Sequence, residues 1–270
     1  MWPAGGIGSW PRSIGPMGKA EGRKPSFWGR LGWGLGKPVQ WLIGLLYVAT
    51  CRFLVPVFFR VERVGELPRP PCVLAVTHVG TFEPPFVAYA GRTFRAKALF
   101  AVDPRYPFLR FIYGAFWGFE VTTDPERKKW LNPRSLARAV EYLRRGGVVM
   151  VFPEGERYWE RNLYPGAAVL ARRARVPLVP VGLENAYCYH PGAETQSLLQ
   201  AAWRVFRETR RRGAVRIHFG APILPDPSLP EREDVDRMMR ALARAFGDYY
   251  SRFYSDIPQP QWPPPERSQS

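Results

Sequence analysis

His78 and Glu83 stand five residues apart in VTHVGTFEPPF, at the end of a short apolar run. An imidazole titrates near neutrality, and a carboxylate on one ring nitrogen fixes its tautomer while the other nitrogen takes up a proton. Residues five apart do not share a helix face, where i+3 and i+4 are the neighbours. The pair meets only if His78 ends a strand, residues 79–82 turn, and Glu83 opens a helix with Pro84 and Pro85 in its first turn. Proline is well tolerated there. The same residues also fit a structural histidine beside an acidic helix cap, and H-x4-E spacing alone does not separate the two.

Two further stretches carry chemistry. In FPEGER, Glu154, Gly155 and Arg157 follow a β-branched apolar run, so a carboxylate and a guanidinium leave a sheet together. By itself that is as well explained by a turn salt bridge. In VPLVPV, Val179 and Pro180 lie in an apolar strand with two prolines, which alone is a core strand. His190 in CYHPG reads as a loop residue and His218 in RIHFG as an alternating strand residue, both structural. There is no HExxH and no Cys/His cluster, so neither a metal nor a bound cofactor is expected. Cys51, Cys72 and Cys188 are odd in number and widely spaced, which suits reduced, buried thiols in a cytosolic setting.

The elements that must position these residues are legible as alternating patterns. CVLAVTH is a short strand ending at the histidine, and Lys97–Phe100 is a second. Residues 133–145 place Leu136, Ala139, Val140 and Leu143 on one helix face, with Asn132 or Ser135 near the start and Gly146–Gly147 at the stop. VVMVFPEG is a strand ending in a turn, AAVLARRAR a helix, VPLVPVGLEN a fully apolar strand, VRIHFGAPI a late strand, and Glu231–Phe253 a final helix. Such alternation predicts an α/β domain with a mostly parallel central sheet flanked by helices. Sites in such sheets gather beyond the carboxyl ends of the strands, where both His78 and Glu154 fall.

Ahead of that domain the composition changes. Residues 1–37 read as a basic flexible arm, and residues 38–65 as an apolar, membrane-associating helical segment. The apolar part, 41–59, sits at the length threshold of a bilayer span but contains Arg52 and Pro56. Its aromatic residues and basic flanks favour an in-plane anchor over a buried core helix or a true span, with Arg52 snorkelling to the headgroups. No secretory signal is expected, since nearly forty residues precede the run. Residues 66–256 form the main domain, and the Pro-rich 257–270 are expected to be disordered. The net charge of +16 attracts polyanions, whether nucleic acid, an anionic bilayer or phosphorylated substrates.

Taken in order, His78–Glu83, Phe152–Arg157 and Val176–Pro180 resemble the ordered motifs of the lysophospholipid acyltransferase family, whose best-known members acylate 1-acylglycerol 3-phosphate. The resemblance extends through Lys97–Leu99, PFLRFIYGAFWGFEV, YPGAAVLA and VRIHFGAPI, covering roughly 66–253. It implies that His78 is the general base and Glu83 its orienting acid. It further implies that Glu154, Gly155 and Arg157 hold the acceptor, and that Val179 and Pro180 wall the acyl path. The donor would be acyl-CoA or acyl-ACP as co-substrate and the acceptor a lysolipid. The enzyme would work at the cytoplasmic face of the membrane, peripheral or monotopic, with no nucleic acid as partner. RRAR at 172–175 and RRR at 210–212 read as solvated helix faces that can also meet lipid headgroups or CoA phosphates.

Three positions depart from the family pattern. Glu83 stands where the family usually has Asp, and Glu156 where Thr is usual. Thr122, Thr123 and Asp124 occupy the place of an arginine that grips phosphate, with Arg127, Lys128 and Lys129 nearby as substitutes. This motivates an alternative acceptor without a phosphomonoester, such as a lysophospholipid, a glycolipid or an amino-lipid. A basic nucleic-acid-binding protein is the rival outside enzymology, although no recognised nucleic-acid motif is present. A family member that binds lipid without catalysis is a third possibility.

Overall fold

Three runs of β-branched and small apolar residues dictate the middle of the molecule: CVLAV, VVMV and LVPVGLE. Strands buried on both faces need no polar alternation, and these have none. The computed structural model describes residues 38–39, 41–79, 83–101, 118–122, 124–155, 162–186, 198–254, 260 and 262–263. Among the described residues seven strands form one sheet: β1 Val61–Val64, β2 Cys72–Val76, β3 Lys97–Phe100, β4 Gly118–Glu120, β5 Val148–Val151, β6 Leu178–Glu184 and β7 Val215–Phe219. Their spatial order is β1-β7-β6-β2-β5-β3-β4. Every pairing is parallel except β6 with β7. The expected mostly parallel α/β sheet is the observed one.

Pro180 lies in β6, between two neighbours, where a missing N–H ought to cost a ladder bond. It falls one residue beyond the last pair of the antiparallel ladder, Val181 with Phe219. There its carbonyl accepts from Gly220 N–H at 2.9 Å, so the lost donor sits where β7 has already ended.

Helices cover the sheet. We number them α1 Trp41–Phe58, α2 Glu83–Ala90, α3 Pro125–Arg144, α4 Gly166–Ala174, α5 Leu198–Arg211 and α6 Glu231–Phe253. Helix α4 lies on β2 and against α3 and α6, while α6 covers β6. Helix α2 instead packs on β1 and β7 and meets α1. A buried ion cluster fastens α4 to α6: Asp234, fully buried, takes Arg172 at 2.9 Å and Arg237 at 2.6 Å.

Two boundaries differ from the sequence reading. Helix α3 begins eight residues ahead of position 133, at Pro125, and carries Pro133 inside it. Asp124 caps it, accepting the N–H groups of Glu126 and Arg127 at 2.9 Å each. An interior proline reads in sequence as a helix start, and here the cap and the buried face override that local cost. Residues 38–65 are also not helical throughout. Val61–Val64 forms β1, because VERV pairs in parallel with β7 and closes that edge of the sheet.

Helix α1 contains a π turn at Thr50–Leu54, where Val55 N–H reaches back to Thr50 C=O. Pro56 has no N–H for the Arg52 carbonyl and its ring would press on it, so a widened turn at this point is the expected accommodation. The basic arm, Cys188 and His190 lie outside the described residues, as does most of the Pro-rich tail. Trp262, in that tail, donates its indole N–H to Asp236 of α6 at 2.9 Å. Cys51 and Cys72 are free and buried, and burial pushes the Cys72 thiol up to about 12.

Candidate active site

Strand β2 ends at Val76, and the next two residues are tied down by its neighbours. Thr77 donates its N–H to Val181 C=O at 2.9 Å, and its hydroxyl accepts Leu183 N–H at 3.3 Å. His78 then leaves the sheet with its side chain 31% exposed. Glu83 stands in the first turn of α2, 2% exposed, with one carboxylate oxygen 3.2 Å from His78 Nδ1. The strand end and the helix start that the five-residue spacing requires are therefore both present, and their side chains meet. With Nδ1–H donating to the carboxylate, Nε2 is the nitrogen that carries the lone pair in neutral imidazole. The ring also lies against Phe152, centroids 4.9 Å apart, which limits its swing.

The support beneath the dyad comes from the neighbouring strand. β5 runs parallel to β2 in register, Ala75 opposite Val151, so both chains leave the sheet side by side. After β5 the segment Phe152–Gly155 turns, Gly155 N–H donating to Phe152 C=O at 3.0 Å. Gly155 has φ of +68°, and a Cβ there would lie 3.0 Å from the Tyr164 ring. Only glycine takes that conformation without strain. The turn aims Glu154 inward, where it is completely buried. One of its oxygens accepts the backbone N–H of His78 at 2.6 Å, and the other accepts the hydroxyl of Tyr250, on α6, at 2.7 Å.

That placement differs from the one expected for Glu154. The resemblance set it on the acceptor; the structure turns both its oxygens into the protein, under the His78–Glu83 pair, because β2 and β5 end together. Gly155 serves the turn that puts it there. Val179 and Pro180 are buried within β6, beside Leu74 and Ala75 of β2. Arg157 lies outside the described residues. Tyr250 was not foreseen. Its signal was a phenol on the buried stripe of an amphipathic helix, four residues after Phe246, where a hydroxyl needs a partner.

Of the cations near the place of the absent arginine, two are already engaged. Arg127 donates to Glu120 at 2.8 Å, and Lys129 to Glu126 at 2.7 Å. Asp124 is the cap of α3, and Thr122 N–H is held by Asn132 at 2.9 Å. His218 bonds Glu184 at 2.8 Å on the β6–β7 pair, a structural contact as expected. Among the described residues no group of three or more His, Cys, Asp or Glu could hold a metal ion.

Residues 59–184 match the family model described as Acyltransferase, a span holding His78, Glu83, Glu154 and the strands that carry them. This segment is an acyltransferase domain. Acyl transfer is accordingly the activity class of the protein. Among solved structures, the chain is similar to the crystal structure of the 1-acyl-sn-glycerophosphate (LPA) acyltransferase PlsC from Thermotoga maritima. The two are 15% identical with a TM-score of 0.46, over 81% of this chain and 86% of that one. No curated protein matches the chain.

Proposed function

We propose that the domain moves a fatty acyl group from acyl-CoA or acyl-ACP to the hydroxyl of a lysophosphatidic-acid-like acceptor at a membrane surface. The observation that carries this reading is the His78–Glu83 contact at 3.2 Å, at the mouth of the strand ends of an acyltransferase domain. His78 Nε2 takes the proton as the acceptor oxygen attacks the thioester carbonyl, and Glu83 holds the ring and offsets the imidazolium charge. Collapse of the tetrahedral intermediate expels the thiolate, which takes the proton back from His78. An ester and a free thiol result, with no acyl-enzyme. Glu154 acts one step removed, by fixing the backbone of His78.

Membrane association belongs to the same proposal. Helix α1 has 18 residues, about 27 Å at 1.5 Å each, and only 11% of them are buried. Among the described residues it is the one helix long and apolar enough to cross a bilayer by length and composition. With Arg52 and the π turn inside it, lying in the interface suits it better than a straight span. The cytoplasmic side is proposed from the basic arm ahead of it.

A second acceptor class is favoured by one observation: Arg127 is occupied by Glu120 where a phosphate-gripping arginine is expected. The test is thin-layer analysis of the full chain with labelled acyl-CoA and a panel of lysophosphatidic acid, lysophospholipids, glycolipid and amino-lipid hydroxyls. Preference for lysophosphatidic acid supports the first reading and sinks the second. His78→Ala should abolish transfer to every acceptor, and unchanged turnover would remove the dyad from the mechanism.

A further inference from the structure

Outside the site, the described residues include an exposed aromatic surface that α1 shares with a distant helix. Trp203 of α5 is 65% exposed and stacks on Phe206, centroids 5.5 Å apart and 20° between planes. Phe206 in turn meets Phe58 at 5.8 Å and Phe59 at 5.3 Å, at the end of α1. The exposed Phe53, Leu54 and Val57 continue the same apolar surface along α1. Phe59 reaches the other way and packs edge-on against Phe86 of α2, at 5.0 Å. One row of rings thus runs from Trp203 to the helix that carries Glu83.

The charge around this surface selects what covers it. Between positions 203 and 212 there are five arginines, 204, 207, 210, 211 and 212, against Glu208 alone, a balance of 5 − 1 = +4. Arg207, Arg210 and Arg211 are exposed. A second copy of a chain at +16 is repelled by such a rim. Anionic headgroups are drawn to it, and tryptophan beside arginine is the composition of a helix seated at the acyl–headgroup boundary.

We propose that α5 is a second membrane contact, Trp203 inserting beside the end of α1 while its arginines engage anionic lipid headgroups. The inference rests on the membrane reading of α1 and adds a specific residue and lipid class to it. Two contacts fix what one helix leaves free: the rotation of the domain about α1. The Phe59–Phe86 contact then holds α2, and with it the dyad, at a set orientation to the bilayer from which a lysolipid would come.

The experiment places an environment-sensitive fluorophore at position 203 (Trp203→Cys) or at position 53 (Phe53→Cys) of the full chain. The wild-type chain is labelled in parallel as background. Vesicles are phosphatidylcholine with or without phosphatidylglycerol, carrying nitroxide quenchers on the acyl chains. Both labels should be quenched on anionic vesicles, and the quenching at 203 should fall when phosphatidylglycerol is omitted or when Arg207→Glu and Arg210→Glu are introduced. Trp203→Glu should weaken partition to anionic vesicles about tenfold or more, with circular dichroism unchanged. A label at 203 that stays in water while the label at 53 is quenched overturns the α5 contact and leaves the α1 reading standing. Both labels in water would overturn both.

Discussion

Removing one oxygen from Tyr250 tests whether the dyad rests on the buried carboxylate below it. Tyr250→Phe keeps the ring and its packing and deletes only the hydroxyl that donates to Glu154 at 2.7 Å. Both residues are fully buried, so water does not take its place. A hydrogen bond to a charged acceptor is worth about 1.5–3 kcal/mol net, which sets the expected loss of unfolding free energy in urea. Glu154 also accepts the N–H of His78, so the loosened carboxylate lets the strand end drift. Small misplacements of a catalytic group cost up to about 10²-fold in rate. Steady-state acyl transfer should show kcat falling with KM nearly constant, since the change lies behind His78, the proposed base, and inside the protein. Glu154→Gln separates the parts: its carbonyl oxygen still accepts one N–H, and the Tyr250 oxygen can accept from the new amide. It should therefore lose less stability than Glu154→Ala. Both substitutions act on one contact, so the double variant Tyr250→Phe/Glu154→Gln should be coupled by about 0.5–3 kcal/mol. Additive losses, or wild-type stability and kcat in Tyr250→Phe, would refute the reasoning.

Gly155→Ala should destabilise the fold by about 1–3 kcal/mol, since φ is +68° and the new methyl meets the Tyr164 ring at 3.0 Å; thermal melts read this directly, and a neutral result would remove glycine's conformational role there. At the β1–β7 edge, the Arg216 hydrogen bond holds the Glu62 carboxyl below its ordinary value of 4.5. A depressed folded value stabilises above 4.5 and is lost as pH falls through it, so acid unfolding should steepen below 4.5. Arg216→Gln should move the acid midpoint to higher pH, and an unmoved midpoint counts against the pair.

Local patterning carried most of the sheet. The β-branched runs at β2, β5 and β6 are continuous because both faces are covered, and their ends put His78 and Glu154 where an α/β site belongs. The limits Glu231–Phe253 of α6 were legible because its apolar residues recur at helical spacing over many turns. Where local signals conflicted, boundaries slipped: Pro133 hid the true start of α3, and the apolar run into Val61–Val64 hid an edge strand behind a helical pattern.

The His78–Glu83 pair was legible in a short stretch of sequence, since a strand end and a helix start five residues apart leave few ways for the two side chains to miss each other. What holds that pair was decided by the tertiary structure. Glu154 lies 76 residues from His78, and Tyr250 a further 96 residues on. Their meeting depends on β5 lying next to β2 and on which face of α6 turns inward. A motif names a carboxylate, but the partners of its two oxygens are set by strand order and helix packing, which no short stretch of chain contains.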